Sequence, residues 1–460
     1  MARTSRNWMR GLCAVFALAA LPSLVFADNL RVGAAQQKIT PKMGSHLGGY
    51  WRVRIAETVR SDLYTKAMAF EIRGRRVAIV ANDLIGITPE IATAAKEMIN
   101  EKCGIPSDAI LICATHTHTG PEIRDRKDRS YGSDPQYNAE LIKNIAAVVE
   151  RACDSMFEGV VYVGQANAEG YSKNRYCRLT DGRDVATYTD LPEKPPYEGD
   201  IIGYASPMDN SVQTLCFKDT QNRIRATAVN FAAHPNSGKK ATYVWAEWPG
   251  DTAKRVAEEY GEDVPCLLLQ GAAGDVQCTS KMSREQVGRG IGEVAIGINT
   301  DVVKPMVTPV LDWRVETLTI PYCSRVELAK VIAYYRRNKS ITKEEERLVQ
   351  RLIEFYELWD KEGQVAELPV QCLRIGDVAI VGLPGEPFTA LGLEIKKGSP
   401  AKQTFVVGYA NDWRAAYVVP ADQAHRGAYG ERPCEARYLV DSAAKMMVDS
   451  ALNSLRDMWK

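Results

Sequence analysis

The sequence predicts an α/β protein: a single large domain with mixed β-sheets flanked by helices and a metal site on loops at strand ends. Three observations predict it. Apolar strand-like runs alternate with helically spaced ones between residues 63 and 166. Several apolar runs stop abruptly at His, Gly or Pro. Residues 368–375 and 378–381 pair around Gly376-Asp377 as the clearest local hairpin.

Taken in order, 63–72 and 77–81 form a first expected hairpin flanking Arg73-Gly74-Arg75-Arg76. A helix over 89–102 and a strand over 109–114 follow. Helical spacing runs from Asn138 to Phe157, and 159–166 returns to strand. Residues 178–206, polar and rich in Pro, Gly and Asp, read as a long surface loop, either functional or a disordered insertion. Strands are expected at 212–218 and 226–233 and a helix at 252–259. A short buried strand at 266–270 then runs into Gly271-Ala272-Ala273-Gly274-Asp275. Capping-box spacings at Ser324…Glu327 and Thr342…Glu345 each precede an apolar stripe. One stripe is Leu328, Val331, Ile332 and Tyr335, the other Leu348, Leu352, Ile353 and Tyr356. Together they predict a helical hairpin over about 324–359.

The N-terminus carries an address. Arg3, Arg6 and Arg10 precede an apolar run from Gly11 to Phe26, and Val25-Phe26-Ala27 suits cleavage before Asp28. Pro22 interrupts the run, which falls short of the ~20 apolar residues a spanning helix needs. Residues 1–27 are therefore expected to be a signal peptide and the protein secreted or periplasmic, with no transmembrane segment after cleavage. Removing three arginines and no acidic residue leaves 55 basic against 57 acidic side chains. A net charge near −2 argues against nucleic acid as a partner. Of eleven cysteines, none forms a C-x-x-C pair. An oxidising compartment favours some disulfides, but Cys113 and Cys216 lie inside apolar runs, where buried free thiols are the commoner state.

Five histidines occur, three of them in unusual settings. His116 and His118 follow the strand ending at Ala114 directly, and positions i and i+2 of an extended chain point the same way. His234 again follows an apolar strand and precedes Pro235. Glu386, in Gly382-Leu383-Pro384-Gly385-Glu386-Pro387, is a carboxylate in an apolar setting that needs a partner or a metal. Imidazoles at strand ends facing one cleft, with a carboxylate, make the donor set of a zinc site. Singly, each has an ordinary reading: an incidental His-x-His, a hydrogen-bonded core histidine, a carboxylate capping a helix.

Five motifs in order resemble the N-terminal catalytic region of the neutral, non-lysosomal ceramidases over about residues 29–437. Thr115-His116-Thr117-His118-Thr119-Gly120-Pro121 is similar to that family's His-Thr-His-Ser-Gly-Pro, and Phe231 to Asn236 to its Phe-Ala-x-His-Pro-Thr. Asn174-Arg175 resembles its Asn-Arg-Ser-Pro, and the run from Leu373 to Glu386 its hairpin ending in Pro-Gly-Glu. Asn411-Asp412-Trp413-Arg414-Ala415-Ala416-Tyr417, with Tyr429 twelve residues on, resembles its tyrosine block.

The resemblance implies Zn²⁺ held by His116, His234, Glu386 and Tyr417, and hydrolysis of an N-acyl bond by metal-activated water. It implies His118, Arg175 and Tyr429 as groups that stabilise an oxyanion, His118 alternatively delivering a proton to the leaving amine. It places Gly274, Asp275 and Gln277 beside the substrate. The family's Gly-Asp-Val-Ser-Pro is here Gly274-Asp275-Val276-Gln277-Cys278, so Gln277 replaces a serine that contacts substrate. The chain also ends soon after the tyrosine block, without the family's usual immunoglobulin-like C-terminal domain, so 28–460 is expected to be the catalytic domain alone. As partner the resemblance implies a small-molecule or lipid-like acyl substrate, with peripheral membrane contact compatible with the latter. An esterase or deacylase acting on an exported glycan or small amide is a second reading. An inactive binding protein on the same fold is a third. No G-x-S-x-G elbow supports a serine hydrolase.

Overall fold

The computed structural model describes residues 30–50, 52–124, 132–187, 200–236, 240–306, 308, 310–337, 346, 349, 350, 352–354, 357, 364–431 and 436–460. The expected signal peptide, Leu348 and Tyr356 lie outside them.

The main sheet runs Cys266–Gln270, Ile224–Phe231, Ser211–Asp219, Phe157–Asn167, Arg31–Lys38, Tyr64–Ile72, Arg75–Asn82, Ile110–Ala114, with the short strand Lys304–Pro305 added beside Phe157–Asn167. It is mixed. The two end pairs of that order are parallel and the inner pairs antiparallel. Cys266–Gln270 nevertheless touches Ile110–Ala114, so the sheet curls until its two ends meet. Both end strands are wholly buried, as the unbroken apolar runs require. A second sheet orders Leu311–Pro321, Val365–Ile375, Val378–Gly382 and Gln403–Val407, the last pair parallel.

Helices cover the sheets for local reasons. Pro89–Cys103 starts at Thr88, whose hydroxyl accepts from Ile91 N, with Pro89 at the first position and Gly104 (φ 64°) closing the end. Its stripe Ile91, Ala95, Ile99 and Cys103 is buried. Pro135–Asp154 is capped by Asp134, which accepts from Gln136 N and Tyr137 N, and packs on Arg31–Lys38 and Tyr64–Ile72. Glu247–Tyr260 and Arg284–Gly297 pack on each other, and Ala443–Met458 lies on the second sheet. No helix among the described residues is long and apolar enough to cross a membrane.

Three expectations change. The first hairpin closes at Arg73 and Gly74, both with positive φ (52° and 77°), so its second strand begins at Arg75 rather than 77. A two-residue turn of this hand matches strand twist, and a four-residue connection is unnecessary. The helix expected at 252–259 begins at Glu247. The stretch read as one surface loop holds Tyr176–Leu179, Asp184–Ala186 and Ile201–Tyr204, a small sheet clamped where Arg178 grips Asp184 through two nitrogens. Its overall polar composition hid short strands that bury Tyr176, Cys177 and Leu179 and are tied by the Arg178–Asp184 ion pair. The first arm of the expected helical hairpin is Arg325–Arg337. From the second stripe, Leu352 is buried in the same core as Leu328. Cys113 and Cys216 are buried free thiols, and Cys323 is disulfide-bonded.

Gly376 (φ 60°) turns the second hairpin, and a Cβ there would meet Met306 Cγ at 2.6 Å and the Thr308 carbonyl at 2.7 Å. Gly376→Ala should therefore cost about 1–3 kcal/mol, the usual strain of a side chain in the left-handed region. Urea unfolding checks it, and an unshifted midpoint would contradict the turn.

Candidate metal centre

The curl of the main sheet brings two strand ends together. Thr115 and His116 leave Ile110–Ala114, and Ala233 and His234 follow Ile224–Phe231. Gln270, the polar last residue of the adjoining end strand, ties them. Its Nε2 donates to the Thr115 carbonyl at 3.2 Å and the Ala233 carbonyl at 2.9 Å, and its Oε1 accepts from Ala233 N at 3.2 Å. All three backbone groups sit beside a histidine.

His116 adopts φ 68°, a left-handed conformation that a non-glycine residue takes only when its surroundings enforce it. Its Nδ1 lies 2.6 Å from the Ile85 carbonyl, and His234 Nδ1 lies 3.2 Å from the Ala273 carbonyl. A carbonyl accepts only, so each Nδ1 carries the proton and each Nε2 presents a lone pair. Those two Nε2 atoms face each other at 2.9 Å, and His118 Nε2 stands 3.3 Å from that of His116. Ligand atoms of all three histidines fall within 4.8 Å of one another. Burial above all, then the neighbouring His116 and arginines, holds His118 and His234 well below the ordinary histidine range, so both stay neutral.

Glu386 Oε2 completes the group, 3.4 Å from His116 Nε2 and 3.7 Å from His234 Nε2. It is sealed from solvent and has no hydrogen-bond partner among the described residues. Burial opposes its ionisation, but the groups facing it, with the Arg175 guanidinium the permanent charge among them, hold its pKa below the ordinary carboxylate value. A buried carboxylate oxygen and imidazole lone pairs that converge without a proton between them fit a divalent cation.

Tyr417 is the direct Cα partner of Glu386 across a parallel strand pair, and its ring lies nearly parallel to that of His234, with centroids 6.5 Å apart. Arg175 is half-buried as a residue, yet its Nε and Nη2 are sealed and without hydrogen-bond partners among the described residues. Its guanidinium carbon lies 5.0 Å from the Tyr417 ring centroid. Tyr429 stands edge-on to Tyr417 at 5.7 Å.

Gly274 passes so close to Glu386 that a Cβ would sit 2.5 Å from that residue's carbonyl. Asp275 is spent internally. Its Oδ1 accepts from Thr389 N and Oγ1, and its Oδ2 from Asn174 and Ser206. Gln277 is buried, bridges His234 in parallel, and donates through Nε2 to the Thr187 carbonyl at 3.2 Å. It therefore faces the interior.

Several residues of the site escaped sequence reasoning. Glu247, fully buried at φ 54°, accepts from His118 N at 2.7 Å and from the Thr117 hydroxyl. Arg54 donates to the Gly48 and His118 carbonyls, and Tyr50 packs edge-on against the His118 ring. Tyr409 stacks on His116 at 4.0 Å. Of these and Gln270, only Gln270 left a signal, a lone amide ending the apolar run Cys266-Leu267-Leu268-Leu269.

Fold and site together define a mixed α/β protein with a buried histidine group able to hold a metal. Its fold is that of the neutral ceramidases. The structure of neutral ceramidase from Pseudomonas aeruginosa superposes with a TM-score of 0.70 at 16% identity, covering 94% of this chain and 74% of that one. A ceramidase complexed with C2 gives 0.71 at 15% identity, with 94% and 75% covered. No family model and no curated protein matches the sequence.

Gln270→Leu would take the amide's bonds from the Thr115 carbonyl and Ala233 N, at about 1–3 kcal/mol each, while the Ala233 carbonyl keeps the Trp248 indole N–H at 2.9 Å. It should lower the unfolding midpoint measurably and weaken metal binding more than a surface variant does. Calorimetry beside a chelator-competition titration checks both. Unchanged metal affinity would mean that the two histidine segments do not depend on this amide.

Proposed function

We propose that this protein is a zinc-dependent hydrolase that cleaves an N-acyl amide bond. The observation that carries the reading is the convergence of His116 Nε2, His234 Nε2 and Glu386 Oε2 in one sealed site. The shared fold with neutral ceramidases supports it. His116, His234 and Glu386 would hold the ion, with Tyr417 as a further ligand. When bound, zinc supplies Lewis acidity and the acidification of water that lets hydrolysis run near neutral pH.

The remaining chemistry belongs to side chains. Arg175, with two sealed donors uncommitted, orients the substrate carbonyl and stabilises the negative charge that develops on its oxygen. Tyr429 flanks it. His118, kept neutral by burial, is placed to take a proton from the attacking water and then pass it to the leaving amine. Glu247 fixes the His118 backbone and so its reach. Asp275 and Gly274 shape the wall behind Glu386.

The substrate's head group is read from Gln277. In a site patterned on ceramidases this position holds a small hydroxyl. Here a longer amide, on the residue whose backbone bridges His234, is tied to the Thr187 carbonyl. That favours an acylated substrate other than ceramide, with more hydrogen-bonding oxygens or nitrogens in its head. The enzyme would work after export, a reading supported by the N-terminal sequence and by the disulfide at Cys323.

Purified enzyme should contain about one zinc per chain. His116→Ala or His234→Ala should remove most of the metal and all hydrolysis of N-acyl amides while the circular dichroism spectrum holds. Full zinc occupancy in the double variant would refute the site. Arg175→Ala should keep its metal and lose about 10²–10³ in kcat, the usual cost of one oxyanion donor. Near-normal turnover would leave Arg175 a structural role. Gln277→Ser should raise kcat/KM on ceramide. Brisk ceramide cleavage by the unaltered enzyme would overturn the head-group reading.

A further inference from the structure

Glu386 has two oxygens in different situations. Oε2 faces the imidazoles and has no hydrogen-bond partner among the described residues, whereas Oε1 accepts from Trp413 Nε1 at 3.2 Å. An indole N–H donates and never accepts, so the direction of this bond is fixed. A carboxylate held at one oxygen by a neutral donor offers the other to a cation singly. Without that donor it is free to rotate and offer both.

Trp413 is itself held tightly. Its backbone N donates to the Ile87 carbonyl at 3.0 Å. Its indole lies against Gly86 so closely that a Cβ there would come within 2.4 Å of Cδ2. The Arg124 guanidinium sits 4.3 Å from the indole centroid, gripped in turn by Glu122 at 2.7 and 2.6 Å. The residue before Gly86 is Ile85, whose carbonyl takes the His116 Nδ1 proton. One three-residue stretch of backbone, 85–87, thus orients the imidazole through Ile85 and seats the indole that orients the carboxylate.

We propose that Trp413 is a positioning residue for Glu386. Its N–H occupies one carboxylate oxygen, leaves the other to the metal, and couples that choice to His116 through residues 85–87. The proposal rests on the metal-binding reading above, and the experiment separates the two.

Trp413→Phe keeps an aromatic ring and removes the donor. Metal-free parent and variant are titrated with zinc against a chromophoric chelator, and both are loaded with Co²⁺ for visible absorption. The variant should bind zinc about 10–100-fold more weakly, the usual effect of losing a group that orients a ligand. Its Co²⁺ bands should shift and weaken as the carboxylate becomes free to bind through both oxygens. A merely structural role would move the unfolding midpoint and leave the Co²⁺ spectrum alone. Gly86→Ala supplies the second variant and decides the matter if Trp413→Phe does not fold. It touches neither Glu386 nor the metal, yet should displace the indole and weaken zinc binding in the same direction. A parent that binds no metal overturns the metal reading and this proposal with it. A parent that binds zinc, beside folded variants of equal affinity and unchanged Co²⁺ spectrum, overturns the proposal alone.

Discussion

Two imidazole nitrogens, Nε2 of His116 and Nε2 of His234, face each other across 2.9 Å with both ring protons already donated to backbone carbonyls. Two lone pairs at that separation repel, and burial removes the water that would otherwise relieve them. Glu386 adds a carboxylate oxygen at 3.4 and 3.7 Å, again without a proton donor. Leaving one such buried group unmet costs about 1–3 kcal/mol, more when it is charged. A cation placed among them would meet all three at once. The site is expensive as bare protein and coherent as a ligand set.

The fold holds these groups at that separation. His116 and His234 leave strands near opposite ends of the main sheet's order, and they meet because the sheet curls until Cys266–Gln270 touches Ile110–Ala114. Gln270 pins the junction through three hydrogen bonds to Thr115 and Ala233. Glu386 follows strand Val378–Gly382 of the second sheet and pairs with Tyr417, and Asn411, beyond that sheet's strand Gln403–Val407, donates to Ile112 O and accepts from Ile112 N, tying this segment to the first sheet. The left-handed conformations of His116, Tyr409 and Asn411 cluster at this seam. Strain of about 1–3 kcal/mol apiece persists where neighbours over-determine the backbone.

What the sequence revealed and what it concealed divide along physical lines. His116, His234 and Glu386 were legible because each ends an apolar strand, where a polar side chain needs a reason to be. Helix Pro89–Cys103 was legible because its cap, its proline and its terminal glycine are local signals. The curl of the sheet was not, since strand order is a long-range property with no trace in spacing. Strand Leu311–Pro321 escaped because its residues are mostly exposed and lack a clean alternation. Glu247 escaped because only the fold makes it a buried acceptor for the His118 backbone. The same holds for Trp413, which reads as an ordinary aromatic until its N–H is seen on Glu386. Sequence exposes donors to a metal more readily than the groups that aim them.

One cation among these side chains is what the donor set calls for. X-ray absorption at the zinc edge, on protein purified without added metal, tests it most directly, with anomalous diffraction locating the ion. The expected result is one zinc per chain, with nitrogen and oxygen neighbours at about 2.0–2.2 Å and its anomalous peak between His116, His234 and Glu386. Absence of metal from folded protein would contradict it, as would sulfur neighbours at about 2.3 Å or a peak elsewhere in the molecule.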